Sequence, residues 1–460
     1  MPDLDLTEPR VVHIVGVGGA GMSAIATVLA RMGHRVSGSD LKDSPPLARL
    51  RLLGIDARVG HTATNVPDDV DAVVLSTAIP ATNPEVEAAH ERGVPVLRRA
   101  EALRALVATR RSIAVAGSHG KTTTSSMLAL CLRAAGWQPS FLIGGDLNEV
   151  GANAAYDDGD WLVVEADESD GTFLELAPEA AILTNVEPDH LDHYGGFDAL
   201  VDAFRRFLAS VPGTRMVCAD DPIAARLAAV TPGVRTYGWE SPDYHVDDYA
   251  GGRAGSRFQL WRRDELLGVI ELPVPGRHNA LNAAGAAALA LELGVDFAAI
   301  ARALGGFGGV ARRFQFRGEV DGVTLIDDYA HLPTEVAATL RAAQEGGWGH
   351  VIAVFQPHRY TRTARLWRDF ADAFVDADRL VLTDVYAAGE SPQPGVSGRL
   401  VLRAVLDAHP AQPLTYLPRR DDIVAHALEL ARPGDVLLTL GAGDLTTVPD
   451  EWLRASEATR

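Results

Sequence analysis

Two short stretches of this chain hold residues whose types and spacing suit phosphate chemistry. The stretch from Val115 to Ala129 reads VAGSHGKTTTSSMLA: an apolar run, two glycines, a lysine and a threonine-rich helix start. In Gly117-Ser118-His119-Gly120-Lys121-Thr122-Thr123 the glycines let backbone N–H groups close on an anion. Lys121 would offset the charge of β- and γ-phosphate oxygens, and the Thr122 hydroxyl suits Mg2+. The longer phosphate-loop pattern has a further glycine where Val115 stands, so this is a shortened Gly-x-x-Gly-Lys-Thr form. An ordinary helix start with a solvated lysine also contains such triplets. The strand-like SIAVAG before it and the helix-like run after it favour an ATP site.

The other stretch is HIVGVGGAGMSAIA, with Gly16, Gly18, Gly19 and Gly21 between a strand pattern and a helix pattern. Gly16-x-Gly18-x-x-Gly21 fits the dinucleotide fingerprint, and Asp40 closes the next strand, where an acid meets a ribose. Such glycines bring the backbone close to a diphosphate at a helix N-terminus, whose amide dipoles favour negative charge. A tight turn without a ligand needs the same glycines. Strand, helix and downstream acid agree, which favours a diphosphate; NAD, FAD and a UDP-sugar all satisfy the pattern.

Two acidic segments supply what a cation beside ATP requires. VVEADESD ends a strand pattern with Glu165, Asp167, Glu168 and Asp170, and TNVEPDHLDHYGG ends another with Glu187, Asp189, His190, Asp192 and His193. Carboxylates at the C-terminal ends of parallel strands face the crevice where ligands bind. Glu165, directly after WLVV, reads as a metal ligand, and most of the others read as solvated loop charges. His190 and His193 have no nearby cysteine or third histidine to complete a zinc site, so Mg2+ is the expected ion.

These segments need elements to carry them. Strand and helix patterns alternate along most of the 460 residues, which predicts parallel sheets covered by helices and two to four domains. A fresh strand after Arg110 and Arg111 puts one boundary near residue 109, and the Gly-rich LGGFGGVARRFQ reads as a hinge. Hydrophobic content of 47% with 22% charged residues is that of a globular enzyme. The net charge of −19 disfavours a general nucleic-acid surface, so phosphate must be held by local donors. Cys131 and Cys218 read as buried thiols without a disulfide. The acidic start MPDLDLTEPR has no apolar signal core, and no stretch is long enough to span a bilayer, so a cytoplasmic location is expected.

In order, the motifs GVGGAGM, GSHGKTTT, EADESD, NVEPDHLD, GRHNALNA, ARRFQ, DDYAHLPTEV, FQPHRYTRT, DVYAAGE and GAGD cover nearly the full chain. Together they resemble the ATP-dependent Mur ligases of peptidoglycan synthesis, above all the alanine-adding members. The resemblance implies an α/β chain of three domains. These are a Rossmann-like UDP-sugar-binding domain over 1–109, a central P-loop ATPase-like domain over 110–311, and a C-terminal Rossmann-like domain over 312–460 that closes and brings the amino acid. It implies that ATP and Mg2+ serve to join L-alanine to the lactyl carboxylate of UDP-N-acetylmuramate through an acyl phosphate. The first glycine loop then takes the UDP end.

By matched position, the resemblance assigns Lys121 and Thr122 to ATP and Mg2+, Glu165 to one metal and His190 to a second. Asn279 and Arg313 would hold nucleotide groups and Asp328 the ribose, while His331, His358, Arg359 and Arg362 would line the alanine and acyl-phosphate side. The expected partners are the two substrates, with no nucleic acid and no membrane insertion, in a monomer or weak homodimer. One departure is visible: Leu332 stands where the alanine-adding enzymes usually carry a second histidine. Three rival readings remain. They are a recycling ligase that attaches a ready-made tripeptide, an NAD-dependent oxidoreductase suggested by the first loop alone, and a non-catalytic nucleotide switch, for which no Asn-Lys-x-Asp guanine reader is present.

Overall fold

A computed structural model of the chain describes residues 4–459 apart from Thr77 and Pro242; the side chains of Asp192 and of residues 457–459 also lie outside the described set. Three sheets organise it. The first contains β1 (Val11–Val15), β2 (Arg35–Asp40), β3 (Asp56–Val59), β4 (Ala72–Leu75) and β5 (Val96–Arg98). They lie in the order β3-β2-β1-β4-β5 and are parallel throughout. The order reverses at β1, so the loop after β1 opens at the switch point where doubly wound sheets bind ligands. That loop is the first glycine stretch.

The second sheet starts with β6 (Arg111–Ala116), β7 (Ser140–Leu147), β8 (Ala152–Ala155), β9 (Trp161–Ala166) and β10 (Ala180–Leu183). It continues with β11 (Arg215–Cys218), β12 (Val234–Gly238), β13 (Tyr244–Gly252), β14 (Gly255–Arg262) and β15 (Glu265–Leu272). The order is β15-β14-β13-β12-β11-β10-β6-β9-β7-β8, so β6 lies between β10 and β9 and is parallel to both. The Gly-Lys-Thr loop and both acidic segments therefore leave the same edge of three neighbouring strands. The register Val115↔Glu165 sets the metal-ligand candidate level with the start of the loop.

The third sheet holds β16 (Gln315–Val320), β17 (Val323–Asp328), β18 (Val351–Phe355), β19 (Arg379–Thr383), β20 (Leu414–Leu417) and β21 (Val436–Leu440), in the order β16-β17-β21-β18-β19-β20. Only β16 is antiparallel to its neighbour. Its strands bury both faces: Ala353 and Phe355 pack into one apolar cluster, while Ile352 and Val354 pack into another. That is why they read as continuous apolar runs rather than alternating ones.

By compactness the chain divides into two units. One comprises Met1–Asp247, Gln259–Gly268 and Leu281–Gly305, and the other Asp248–Phe258, Val269–Ala280 and Gly306–Arg460. Within the first, a single apolar cluster runs from Ile14 and Leu29 under the first sheet to Val164 and Phe204 under the second. Both cysteines are buried and free. Among the described residues no helix is long and apolar enough to cross a membrane.

Candidate active site

The first glycine loop is shaped by its own neighbours. Gly16 has φ +81°, and a Cβ there would lie 2.8 Å from the Ser76 Cβ. The Gly16 and Val17 amides donate to the Ser39 carbonyl at 2.8 and 3.0 Å. The Asp40 carboxylate accepts from the Gly18 amide at 2.9 Å, and a Cβ on Gly18 would lie 2.9 Å from the same oxygen. Asp40, expected from its spacing to meet a ribose, thus braces the loop from beneath. Gly19 precedes the helix Ala20–Arg31 with no side-chain cap, so backbone donors remain at the helix start. Gly21 is small because the Arg99 guanidinium rests on it, with Nε 3.1 Å from where a Cβ would be.

The second loop is pinned by the segment after β10. The Ser118 amide donates to the Asn185 carbonyl at 3.1 Å and the His119 amide to Asn185 Oδ1 at 2.7 Å. The Ser118 hydroxyl accepts from the Glu187 amide at 2.8 Å, and the His119 ring meets the Glu187 carboxylate at 3.0 Å. Gly117 has φ +134° and Gly120 φ +76°; a Cβ would run into the Thr184 hydroxyl at the first and lie 2.5 Å from Asn282 Oδ1 at the second. Helix Lys121–Ala134 then begins, with Thr122 and Thr123 buried in its first turn.

Lys121 is the centre of this cradle. Its Nζ donates to the Gly117 carbonyl at 2.6 Å and to the two Glu168 oxygens at 2.8 and 3.1 Å. Burial disfavours the ammonium, but Glu168, Asp167 and Glu165 outweigh it and hold the lysine firmly charged. Burial pushes the Glu168 carboxyl up to about 7 against the pull of Lys121. Asp167 is also pushed up by burial, yet Lys121, the Ser169 amide and Arg99 hold it below the usual range. Glu165 accepts from the Gly144 amide at 2.7 Å, and a Cβ on Gly144 would crowd both Glu165 oxygens at 2.7 and 2.8 Å. His190 has φ +53° and its Nε2 lies 3.3 Å from Asp189. Among the described residues no three His, Cys, Asp or Glu side chains cluster as a metal site, and the Asp192 side chain lies outside them.

A separate set of candidates lies in the second unit, at the C-terminal ends of β17 and β18. Asp328 accepts from the Phe314 and Ala330 amides, both at 2.7 Å, and burial pushes it up to about 6 despite Arg313. It thereby fastens the linker, whose Arg312 and Phe314 have φ +61° and +45° on either side of Arg313. The Arg313 guanidinium lies over the Tyr329 ring, 5.3 Å from its centroid. Burial, then Arg313, push His278 down to about 4, and the neighbouring Asn279 donates to the Pro275 carbonyl at 2.8 Å.

His331 and His358 meet edge to face with centroids 5.8 Å apart, and His358 stacks on Tyr386 at 5.7 Å. Arg362 Nη1 donates to His358 Nδ1 at 3.1 Å. Burial, His331, Arg362 and Arg359 push His358 down to about 3, so its ring is neutral near pH 7. Arg359 has φ +65°, fixed by its amide donating to the Tyr386 carbonyl at 2.8 Å. Glu335 accepts from the His331 and Leu332 amides at 3.0 and 3.2 Å, and Leu332 itself is buried apolar packing.

Sequence reasoning missed the positions of several groups. Glu168 was one acid among four, with nothing in EADESD to single out the one that meets Lys121. Tyr386 lies in DVYAAGE, and Glu335 stands three residues after the N-cap Leu332 of helix Pro333–Glu345, the place from which an acid reaches back to the amides before a helix. Arg99 carries no signal beyond a pair of arginines before a helix.

Comparison with known proteins accords with this geometry. Residues 11–111 match the Mur ligase family catalytic domain, 115–290 the Mur ligase middle domain, and 312–443 the Mur ligase glutamate ligase domain. A UDP-N-acetylmuramate–L-alanine ligase of Desulforamulus reducens is 45% identical over 456 residues, 98% of each chain. The chain belongs to the Mur ligase family. A ligase of the same description from Rubrobacter xylanophilus is 48% identical over 447 residues, 96% of this Mur ligase and 99% of the relative. The crystal structure of the UDP-N-acetylmuramate–alanine ligase of Thermotoga maritima superposes with a TM-score of 0.84 at 29% identity, covering 98% of this chain and 100% of that one. A murein peptide ligase of Psychrobacter arcticus gives a TM-score of 0.71 at 25% identity over 97% and 98%. The fold is thus the three-domain α/β fold of the Mur ligases, as the motif order led one to expect.

Proposed function

We propose that this chain is an ATP-dependent ligase that joins L-alanine to the lactyl carboxylate of UDP-N-acetylmuramate, giving ADP and phosphate. The near-full-length identity of 45–48% to ligases of that description carries the reading. A carboxylate does not acylate an amine at neutral pH, because its oxygen is too poor a leaving group. Transfer of the γ-phosphoryl to that oxygen, with release of ADP, converts it to phosphate. Attack by the alanine amine then forms the C–N bond, phosphate departs with the C–O bond, and the amine loses one proton.

The residues suit these tasks. Phosphoryl transfer is mainly positioning and charge neutralisation, and Lys121 with the Gly120 and Lys121 amides at the start of its helix would offer both. Glu165, Asp167 and Glu168 surround one ammonium, an excess of negative charge that fits a divalent cation. Glu165, the Thr122 hydroxyl and His190 would hold Mg2+, which supplies charge neutralisation between two anions. Asn279, Arg313 and Asp328 would serve the nucleotide. Arg359 and Arg362 are forked cations suited to the alanine carboxylate. The His358 ring, neutral near pH 7, would accept or relay the amine proton, with His331 beside it. In this reading 1–109 holds the UDP end, 110–311 the ATP and 312–460 the amino acid, in a cytoplasmic monomer or weak homodimer.

Phosphate release with Mg2+·ATP tests the reading. It is expected only when UDP-N-acetylmuramate and L-alanine are both present, with a muramyl-alanine product formed in step. A preference for a ready-made tripeptide over alanine would assign the chain to recycling instead, and release without either acceptor would sink a ligase altogether.

A further inference from the structure

The first glycine loop is built for a diphosphate, yet Gly16–Gly21 and the helix turn after it carry no cationic side chain. The cation comes from elsewhere. Arg99, at the start of helix Arg99–Val107, lays its guanidinium on the first turn of helix Ala20–Arg31. Its Nε, Cζ and Nη2 lie 3.1, 3.3 and 3.4 Å from where a Gly21 Cβ would be. The side chain is 23% exposed and makes no hydrogen bond among the described residues. Its charge partners are Asp167 at 3.8 Å and Asp170 at 3.9 Å, both in the acidic segment beside Lys121. Those carboxylates do not depend on it: Asp167 accepts from the Ser169 amide and Asp170 from the Thr172 amide, each at 3.0 Å.

We propose that Arg99 is a ligand of the diphosphate in the first cradle, and that it is drawn from Asp167 and Asp170 when that cradle fills. The proposal rests on the reading of the first loop as the muramyl-nucleotide site. A guanidinium has five N–H donors in a planar fork that fits phosphate oxygens. Short charge-assisted bonds to a diphosphate outweigh ion pairs held near 4 Å at a partly exposed position. The acids keep their turns because their own backbone amides hold them. Arg99 thus stands between the two phosphate cradles, and its departure leaves the segment that carries Glu168 more negative, favouring the cation that accompanies ATP.

Calorimetric binding of UDP-N-acetylmuramate to the full chain tests this, with Mg2+·AMP-PNP binding as the check on folding. Arg99→Gln is expected to weaken the UDP nucleotide by about 10- to 100-fold, as for loss of a hydrogen bond to a charged group, and Arg99→Lys by less. Asp170→Asn is expected to tighten it by about 2- to 5-fold, since a competing partner is removed. The opposite signs separate ligand binding from a merely structural ion pair, for which both variants would weaken binding alike. Wild-type affinity in Arg99→Gln, or weakened affinity in Asp170→Asn, overturns the proposal. Asp170→Asn keeps the test decisive should Arg99→Gln fail to fold. If the wild-type chain binds Mg2+·AMP-PNP but no UDP-N-acetylmuramate, the functional reading falls, and the role of Arg99 with it.

Discussion

The Lys121 ammonium is paired with the Glu168 carboxylate at the second glycine loop, 2.8 Å from one oxygen and 3.1 Å from the other, with Glu168 buried and Lys121 mostly so. Lys121 draws Glu168 toward its charged form against burial, and Glu168, with Asp167 and Glu165, holds the ammonium charged. A phosphate that engages Lys121 does so in competition with a resident carboxylate. The pair is the reason Lys121 must be judged by stability as well as by activity.

Removing the lysine should do two things at once. Lys121→Ala is expected to lower ATP-dependent phosphate release by at least about 10²-fold, the scale of one lost preorganised donor. It should also lower stability by about 3 kcal/mol in urea unfolding, because Glu168 is left buried without a partner. Adding Glu168→Gln should restore part of the stability and none of the turnover. A folded Lys121→Ala protein with near-normal turnover would remove the ATP site from this loop.

Two glycines with nearly the same φ offer a controlled comparison. Gly120 (φ +76°) has Asn282 Oδ1 2.5 Å from its Cβ position, whereas Gly136 (φ +79°) has nothing within 4 Å. Gly136→Ala should cost about 1–2 kcal/mol from backbone strain alone, with ATP binding intact. Gly120→Ala should cost more and weaken ATP by at least about tenfold, because the loop must shift. Equal effects on ATP affinity would show that the packing around Gly120 is not what shapes the cradle.

Arg359 combines a positive φ with an exposed cation. Arg359→Ala and Arg359→Gly should both raise the alanine KM by at least about tenfold while changing the ATP KM by less than about threefold, since a charged hydrogen bond to the amino acid is lost. The glycine variant should be the more stable by about 1 kcal/mol, having no Cβ to strain at that φ. Parallel increases in both KM values would argue against an amino-acid role.

His278 gives a pH signature with a definite sign. Unfolded, its ring takes up a proton near the ordinary value of about 6.5; folded, burial and Arg313 delay this to about 4. The stability tied to its neutral form is complete above the unfolded value and is lost as pH falls toward the folded one. Between pH 7 and pH 5 the wild-type chain should lose about 2 kcal/mol more than His278→Gln. Urea midpoints for both proteins at the two pH values measure this, and parallel losses would place the titration elsewhere.

Much of this was legible in the sequence because strand, glycine loop and helix are local patterns. The Gly16–Gly21 and Gly117–Thr123 segments, Glu165 at a strand end, and the helix from Ala20 all lie where the residues indicate. Strand order was not legible: β10 follows β9 in sequence, yet β6 lies between them, and no local pattern records a crossover. Side-chain partnerships across such crossovers were hidden for the same reason. Asp40, matched to a ribose by spacing, turns to the Gly18 amide, and Asp328, matched to one by the family resemblance, turns to the Phe314 amide. Leu332 alone could be read as a departure, and in the fold it is simply buried packing beside His331.

The unbroken apolar cluster beneath the first two sheets has a practical consequence for anyone who would dissect this enzyme. A fragment cut near Thr109 would carry an oily underside that evolved to be covered, and should clump rather than stand alone. Heating should melt both sheets in one step, so no separate transition would report on the N-terminal lobe.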